Sequence, residues 1–316
     1  MARIVAALGG NALGNDPDTQ QKHVDTAAEM ISSLVVRGHE VLVAHGNGPQ
    51  VGMINLAFEK GYQAGLTPLM PLAECTAMSQ GYIGYHLQQK IDESLMEKGS
   101  RTPVITMLTQ VIVDAEDPAF LNPTKPIGSF YDEDTYLKLS AVSDDVYHKF
   151  PEGYRRVVPS PKPVRIYETV TLDVLLKAGQ VIIACGGGGI PVVATDHGYK
   201  GVSAVIDKDL AAAKLAHLVG ADYLFIMTQA PYVALNFGTP EQIDLKRMTV
   251  GEAEAYISQK QFPEGSMLPK VEAAIDFVRG NSERQAVICS LTNAIDALDH
   301  GIGTVITDDA TRTTLR

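Results

Sequence analysis

Four consecutive glycines, Gly186 to Gly189, follow the apolar run Val181 to Ala184. Glycines at a strand end let the backbone take paths closed to residues with a Cβ, and let successive amide N–H groups approach a ligand. Such a turn suits the cradling of a phosphate, with Gly187 and Gly188 as its centre; a flexible surface loop is the plainer use of the same composition. Two more turns of this kind, Leu8-Gly-Gly-Asn11 and His45-Gly-Asn-Gly-Pro49, also follow apolar runs, which favours the cradle. Downstream, Ala204-Val-Ile-Asp-Lys-Asp-Leu210 leads into a helix over Ala211 to Val219. Asp207 stands where an N-cap belongs, and a carboxylate there suits the orphan N–H groups. Lys208 does not: a cation in a first turn is unfavourable by roughly a few tenths of a kcal/mol, so its placement implies an anion nearby. Asp209 would hold that lysine, hold a hydrated Mg²⁺, or simply supply helix-start acidity. Gly265-Ser-Met-Leu-Pro-Lys270 repeats the device, with Pro269 in a first turn and Lys270 directly after it.

The chain is acidic, with a formal charge of −11 over 316 residues, so a phosphate-rich polymer or an anionic membrane would be repelled over most of its surface. Useful cations must therefore be local. Lys125, Arg155, Arg156 and Lys162 gather around proline-braced turns between Asp114 and Pro163, and at least one of them is expected to meet a phosphate. Gly46 and Gly48 begin a dinucleotide fingerprint, but Val51 stands at its third glycine position and Gly52 comes one residue late. That turn reads instead as an anion- or substrate-binding helix start, with Pro49 in the first turn. Ser79-Gln-Gly81, inside a long helical stretch from Pro71 to Lys98, is either a close approach to a ligand or a site of tight helix packing. Three scattered cysteines, Cys75, Cys185 and Cys289, lack metal-type spacing and fit a reducing compartment, read as the cytoplasm. No stretch reaches the ~20 apolar residues of a membrane span.

The elements that must position these groups alternate. Strands are expected at Arg3 to Leu8, Glu40 to Ala44, Pro103 to Val113, Gln180 to Ala184, Tyr223 to Thr228, Tyr232 to Leu235, Gln285 to Cys289 and Thr304 to Thr307. Helices are expected at Asp18 to Arg37, from Pro49 to about Tyr62, Pro71 to Lys98, Thr171 to Ala178, Ala211 to Val219, Thr249 to Ser258, from Pro269 to Arg279, and Asn293 to Leu298. Strands apolar on both faces, alternating with helices, imply a mainly parallel sheet covered on both sides, with ligands at the carboxyl ends of its strands. All three glycine turns fall at such ends. Glycine-rich backbone with several lysines, and neither a Walker A lysine nor a G-x-S-x-G elbow, points to phosphoryl transfer by positioning and electrostatics. Without a His/Cys metal cluster, Mg²⁺ would arrive with a nucleotide.

Ala7-Leu-Gly-Gly-Asn-Ala12, His45-Gly-Asn-Gly-Pro-Gln-Val-Gly52, Asn122-Pro-Thr-Lys-Pro-Ile-Gly128, Val157-Val-Pro-Ser-Pro-Lys-Pro163, Cys185-Gly-Gly-Gly-Gly-Ile-Pro-Val192, Ala204-Val-Ile-Asp-Lys-Asp-Leu210 and Gly265-Ser-Met-Leu-Pro-Lys270 together resemble the carbamate kinases of the amino acid kinase superfamily. The resemblance implies one domain over residues 1–316: an α/β, three-layer αβα sandwich with an open, mainly parallel central sheet. A protruding subdomain would be carried at residues 114–163. It implies transfer of a phosphoryl group between carbamoyl phosphate and ADP, giving ATP and carbamate, with Mg²⁺ accompanying the nucleotide, in a homodimer. Gly9, Gly10, Asn11, Asn47 and Gly48 would line the transfer site, and Lys125 would enter it from the subdomain. Lys208 and Lys270 would neutralise the migrating phosphoryl group, with Asp209 positioning them. The nucleotide would lie over the second half, about residues 180–316, near Thr228, Tyr232 and Met267. Gln229-Ala-Pro231 departs from the acidic pattern many relatives carry there. Arginine, agmatine and ureide catabolism are all compatible sources of carbamoyl phosphate. Two other readings stand beside this one: a catalytically weak binding protein on the same scaffold, and a kinase for another small carboxylate.

Overall fold

Strands that are apolar at every position form the centre of the molecule. The computed structural model describes residues 1–9, 17–141, 145–294, 297 and 302–309. The chain begins with β1 (Arg3–Leu8), α1 (Pro17–Val36), β2 (Glu40–His45), α2 (Gly48–Gln63) and α3 (Leu72–Glu97). The stretch Pro103 to Val113 does not form the single strand expected of it. It divides into β3 (Val104–Thr106) and β4 (Gln110–Val113), which belong to different sheets. The break falls where Thr109 N donates to the Gln80 side chain at 2.9 Å, and the Gln80 amide in turn donates to Thr109 O at 3.2 Å. A side chain thus replaces a ladder partner at that position.

The proline-rich excursion folds as β5 (Lys125–Tyr131), α4 (Glu133–Ser140), β6 (Val146–Phe150) and β7 (Gly153–Val158), the strands pairing antiparallel in the order β5-β7-β6. The chain returns through β8 (Pro163–Ile166), α5 (Thr169–Lys177) and β9 (Val181–Ile183). After the glycine run come β10 (Ile190–Thr195) and β11 (Gly198–Gly201), a hairpin that hydrophobic spacing did not announce, since β11 is exposed throughout. Then follow α6 (Lys208–Leu218), β12 (Tyr223–Thr228), β13 (Val233–Leu235), β14 (Ile243–Leu245) and β15 (Arg247–Thr249). The series closes with α7 (Val250–Ser258), α8 (Met267–Val278), β16 (Gln285–Ser290) and β17 (Thr304–Thr307). Of the helix expected at Asn293 to Leu298, residues 295, 296 and 298 lie outside the described residues; Leu291–Asn293 is a 3-10 turn.

The main sheet runs β15-β17-β16-β12-β1-β2-β9-β3, parallel throughout except for β16 against β17. Along β1, Val5 and Ala7 face one core while Ile4, Ala6 and Leu8 face the other, the period-2 alternation that a sheet buried on both sides requires. The first core is closed by α5, α6, α7 and α8, the second by α1 and α3. This is a three-layer αβα sandwich. A second sheet, β11-β10-β4-β8, flanks it. No helix among the described residues is long and apolar enough to cross a membrane.

Candidate active site

The parallel register sets Leu8 opposite His45 at the carboxyl ends of β1 and β2, so the turns that leave them open on the same side of the sheet. A cavity of about 390 Å³ forms there, lined by Gly9, Gly46, Asn47, Gly48, Lys125, Gly187, Asp207, Lys208, Asp209, Thr228, Ser266 and Lys270 among others. Three helices, α2, α6 and α8, begin at this cavity. Their positive dipole ends make an electropositive hollow in an acidic chain.

The glycine run crosses the cavity floor as a 3-10 turn over Gly186–Gly188. Cys185 enters it at φ +52°, a left-handed conformation that a side chain resists, and Gly187 continues at φ +66°. A Cβ on Gly187 would overlap the Asn47 amide, and one on Gly186 would overlap the His45 ring, so the turn lies against both side chains as only glycine can. Gln80 clamps it from below by donating to Gly186 O at 2.9 Å while Thr109 Oγ1 accepts from Cys185 N at 3.1 Å. Asn47 is held in turn by donating to Ser79 Oγ at 2.7 Å. His45 is neutral: burial pushes its imidazole down to about 4, and its Nδ1–H donates to Gly46 O at 2.9 Å. In Ser79-Gln-Gly81, then, the polar pair supports the floor. Gly84, one turn later, permits α3 to approach Thr106 more closely than a Cβ would allow.

Charge is concentrated at the opening of α6 and α8. Asp209 is buried, and its two oxygens take one lysine each: Lys208 Nζ donates to Oδ1, and Lys270 Nζ donates to Oδ2 at 2.8 Å. The side chains are 3% exposed for Asp209, 13% for Lys208 and 14% for Lys270, so none of the three is relaxed by bulk water. Burial opposes ionisation of Asp209, but the two ammonium groups outweigh it and hold the carboxyl below its ordinary range. Burial pushes the Lys208 ammonium down, and Lys270 adds to that, against the pull of Asp209. Such a triad is stable because every charge has a partner; its strain is relieved by an anion that both ammonium groups can share. Lys125 reaches the same cavity from β5, where its Nζ donates to Asp207 Oδ2 at 2.9 Å.

Lys125, Asn47, Gly9, Gly48, Gly187, Lys208, Asp209 and Lys270 thus come together, whereas Gly10 and Asn11 lie outside the described residues. Gly188 turns away, its α-carbon closed in by the Ile206 carbonyl. Arg155, one of the four cations of which at least one is expected to meet a phosphate, is engaged elsewhere: its guanidinium lies 4.9 Å over the Phe130 ring and Nε donates to Gly128 O at 3.0 Å, both on β5. Arg156 pairs with Asp145 at 2.7 Å, and Lys162 lines a separate groove beside α7 and α8. Thr228, Tyr232 and Met267 line an adjoining apolar cavity of about 410 Å³ with Pro231 and Phe237; it shares Thr228, Gln229, Ser266 and Lys270 with the first. Gln229 therefore borders both cavities. Sequence reasoning missed Gln80's clamp and Asp207's second partner, for which no local pattern exists. Among the described residues, no three His, Cys, Asp or Glu side chains cluster as a metal cage.

The family model "Amino acid kinase family" matches residues 2–290. The carbamate kinase-like protein YqeA of Escherichia coli (strain K12) is 50% identical over 305 residues, 96% of this chain and 98% of that protein. The carbamate kinase of Staphylococcus haemolyticus (strain JCSC1435) is 47% identical over 310 residues, 97% and 99% of the two chains. Among solved structures, carbamate kinase from Giardia lamblia bound to AMP-PNP superposes with a TM-score of 0.90 at 39% identity, covering 98% of this chain and 99% of its own.

Proposed function

As the chain belongs to the amino acid kinase family, among its carbamate kinases, we propose that it transfers a phosphoryl group between carbamoyl phosphate and ADP. The observation that carries this reading is the convergence of Lys125, Lys208 and Lys270 on one cavity, with Asp209 fixing two of them. In the ATP-forming direction a terminal β-phosphate oxygen of ADP attacks the phosphorus of carbamoyl phosphate. The bond from phosphorus to the carbamate oxygen breaks, and carbamate leaves with the electron pair. The attacking oxygen is already an anion, so no side chain has to accept a proton. Lys208 and Lys270 face the equatorial oxygens, where charge develops, and the amides of Gly9, Gly48 and Gly187 complete the cradle. Because Lys208 and Lys270 are held by Asp209 before substrate arrives, little reorganisation of that pair is left for the transfer itself.

The adjoining cavity at Thr228, Tyr232 and Met267 suits the nucleoside, whose phosphates would pass Gln229 into the lysine cluster. Mg²⁺ belongs in this reading to the nucleotide. Both carboxylates of the cavity are already engaged by lysines, so the ion's oxygens would come from phosphate and water, and it would neutralise the polyphosphate. Residues 114–163 would act as the subdomain that delivers Lys125. Three buried free thiols support a reducing, cytoplasmic setting. A homodimer through the β3 edge is supported by Tyr85 (60% exposed) and Leu108 (54%) beside that unpaired edge strand, and sedimentation of the full chain tests it.

The test of the reaction is a coupled assay for ATP from carbamoyl phosphate and Mg-ADP, with acetate, glutamate and aspartate run beside carbamate in the reverse direction. Turnover with carbamate alone is expected. Folded protein with no ATP above the uncatalysed background would sink the reading; phosphorylation of another carboxylate in preference to carbamate would replace its acceptor.

A further inference from the structure

The two aspartates of the cavity differ in what they hold. Asp209 is committed on both oxygens to buried lysines. Asp207 divides its carboxylate: Oδ1 accepts from Asp209 N at 2.9 Å and caps α6, while Oδ2 accepts from Lys125 Nζ at 2.9 Å. The second bond spans 82 residues and joins the β5-β7-β6 sheet to the helix that carries Lys208. It is also the accessible bond of the cluster, with Lys125 37% exposed against 13% for Lys208 and 14% for Lys270.

We infer that Asp207 is a positioning residue that stands in for the substrate's phosphoryl oxygens, keeping Lys125 at the cavity until an arriving anion takes the ammonium over. Lys125 is the one member of the cluster that can change partners cheaply: its side chain is 37% exposed and water can solvate the ammonium as it moves, and Asp207, itself 14% exposed, keeps the Asp209 N–H on its other oxygen, whereas opening the Asp209 triad would leave buried ammonium groups unpaired. The exchange leaves α6 capped, because the cap uses the other oxygen. It also leaves the subdomain tethered, since Val205 N, two residues before Asp207, donates to Pro159 O at 2.9 Å. Three lysines and two aspartates leave the cluster with a net charge of +1, which draws an anion in, and because the Lys125 ammonium is already bonded to Asp207 that anion competes with the carboxylate for it. Naming the anion as an acyl phosphate rests on the carbamate kinase reading; the exchange itself rests only on the bonds around Asp207.

The variant that isolates this role is Asp207→Asn, which keeps an oxygen to accept from Asp209 N and so keeps the cap, but removes the charge that competes for Lys125. Inorganic phosphate titrated calorimetrically into the full chain is expected to bind Asp207→Asn about fivefold more tightly than wild type, the scale of a part-exposed ion pair. KM for carbamoyl phosphate should fall with it while kcat moves less. In a Lys125→Met background the same substitution should leave phosphate affinity unchanged. Asp207→Ala loses the cap as well, so it should melt at a lower temperature and still bind phosphate more tightly. Unaltered phosphate affinity in Asp207→Asn would reduce Asp207 to a helix cap. Equal tightening with and without Lys125 would mean a field effect that does not act through that lysine. Either result overturns the inference. A wild-type chain that makes no ATP from carbamoyl phosphate and ADP would defeat the carbamate kinase reading instead, and the phosphate titrations would still decide the exchange.

Discussion

Lysines reach this cavity in two ways. Lys208 and Lys270 stand in the first turns of α6 and α8, on the body of the sandwich, and share a carboxylate that is 3% exposed. Lys125 comes from a strand of the small three-stranded sheet and rests on Asp207, with 37% of its side chain exposed. The first pair is preformed: its charges cannot leave without stranding a buried partner, and the helix dipoles that oppose cations there are offset only by Asp209 and by whatever anion binds. The third lysine is adjustable, held by a bond that water and salt already weaken. A phosphoryl group in transit needs both kinds, fixed charge where the geometry must not change and an adaptable charge that follows the substrate in.

The widest gap between the two arrangements should appear on breaking Asp209. In Asp209→Asn two buried ammonium groups lose their common counter-charge, at a cost of about 3–5 kcal/mol for an uncompensated buried pair. A fall in melting temperature together with loss of nearly all ATP formation is expected, read by calorimetry and the coupled assay. A variant that keeps wild-type stability would show that the triad is not the preformed unit described above.

Next in size are the two lysines themselves. Lys208→Ala or Lys270→Ala should lower kcat by about 10²–10³, the scale of one preorganised charge at a developing oxyanion, with KM changed far less. Equal losses in KM and none in kcat would place them in ground-state binding only. Lys125→Ala should cost less, on the order of tenfold to a hundredfold in kcat/KM, and should leave the melting temperature nearly unchanged, as for a part-exposed pair. Its deficit should also shrink as salt rises, because the wild-type contribution is itself screened. A stability loss as large as that of Asp209→Asn would erase the distinction between the two deliveries.

How much of this could be read from residue order follows the same division. Ile4 to Leu8 and Val41 to Ala44 are buried on both faces, so each announces its strand by an unbroken apolar run. Asp207 and Pro269 mark their helix starts by local chemistry, and the Asp207 cap is present as expected. The glycine run was legible as a close approach because four Cβ atoms are missing at once, and of the two glycines expected at its centre Gly187 lines the cavity while Gly188 does not. What was not legible depends on distance along the chain. Lys270 meets Asp209 across 61 residues and Lys125 meets Asp207 across 82, and no spacing rule links them. Arg155 and Lys125 looked alike in a proline-rich acidic context, and only the placement of Phe130 and the Gly128 carbonyl separates them. The broken strand at Thr109 was hidden because its cause, Gln80, lies on another element.

The smallest effect, and the one that sharpens the comparison most finely, is a pH limb. Burial and the neighbouring Lys270 lower the Lys208 pKa, so that its charge is less secure than that of an ordinary ammonium. Below its folded pKa Lys208 is charged and transfer is supported. As pH rises through that value the charge is lost, and the midpoint should lie below the ordinary lysine value of about 10.4. The quantity to follow is kcat/KM for carbamoyl phosphate, since it reports the free enzyme before substrate anions restore the charge. A descending alkaline limb is expected in wild type, after subtraction of the uncatalysed hydrolysis. In Lys208→Arg the guanidinium stays protonated to above about pH 12, so the limb should move to higher pH even though the altered fork lowers the rate. A limb that stays in place in Lys208→Arg would assign the titration to another group, and the buried pair would then be as securely charged as it is securely placed.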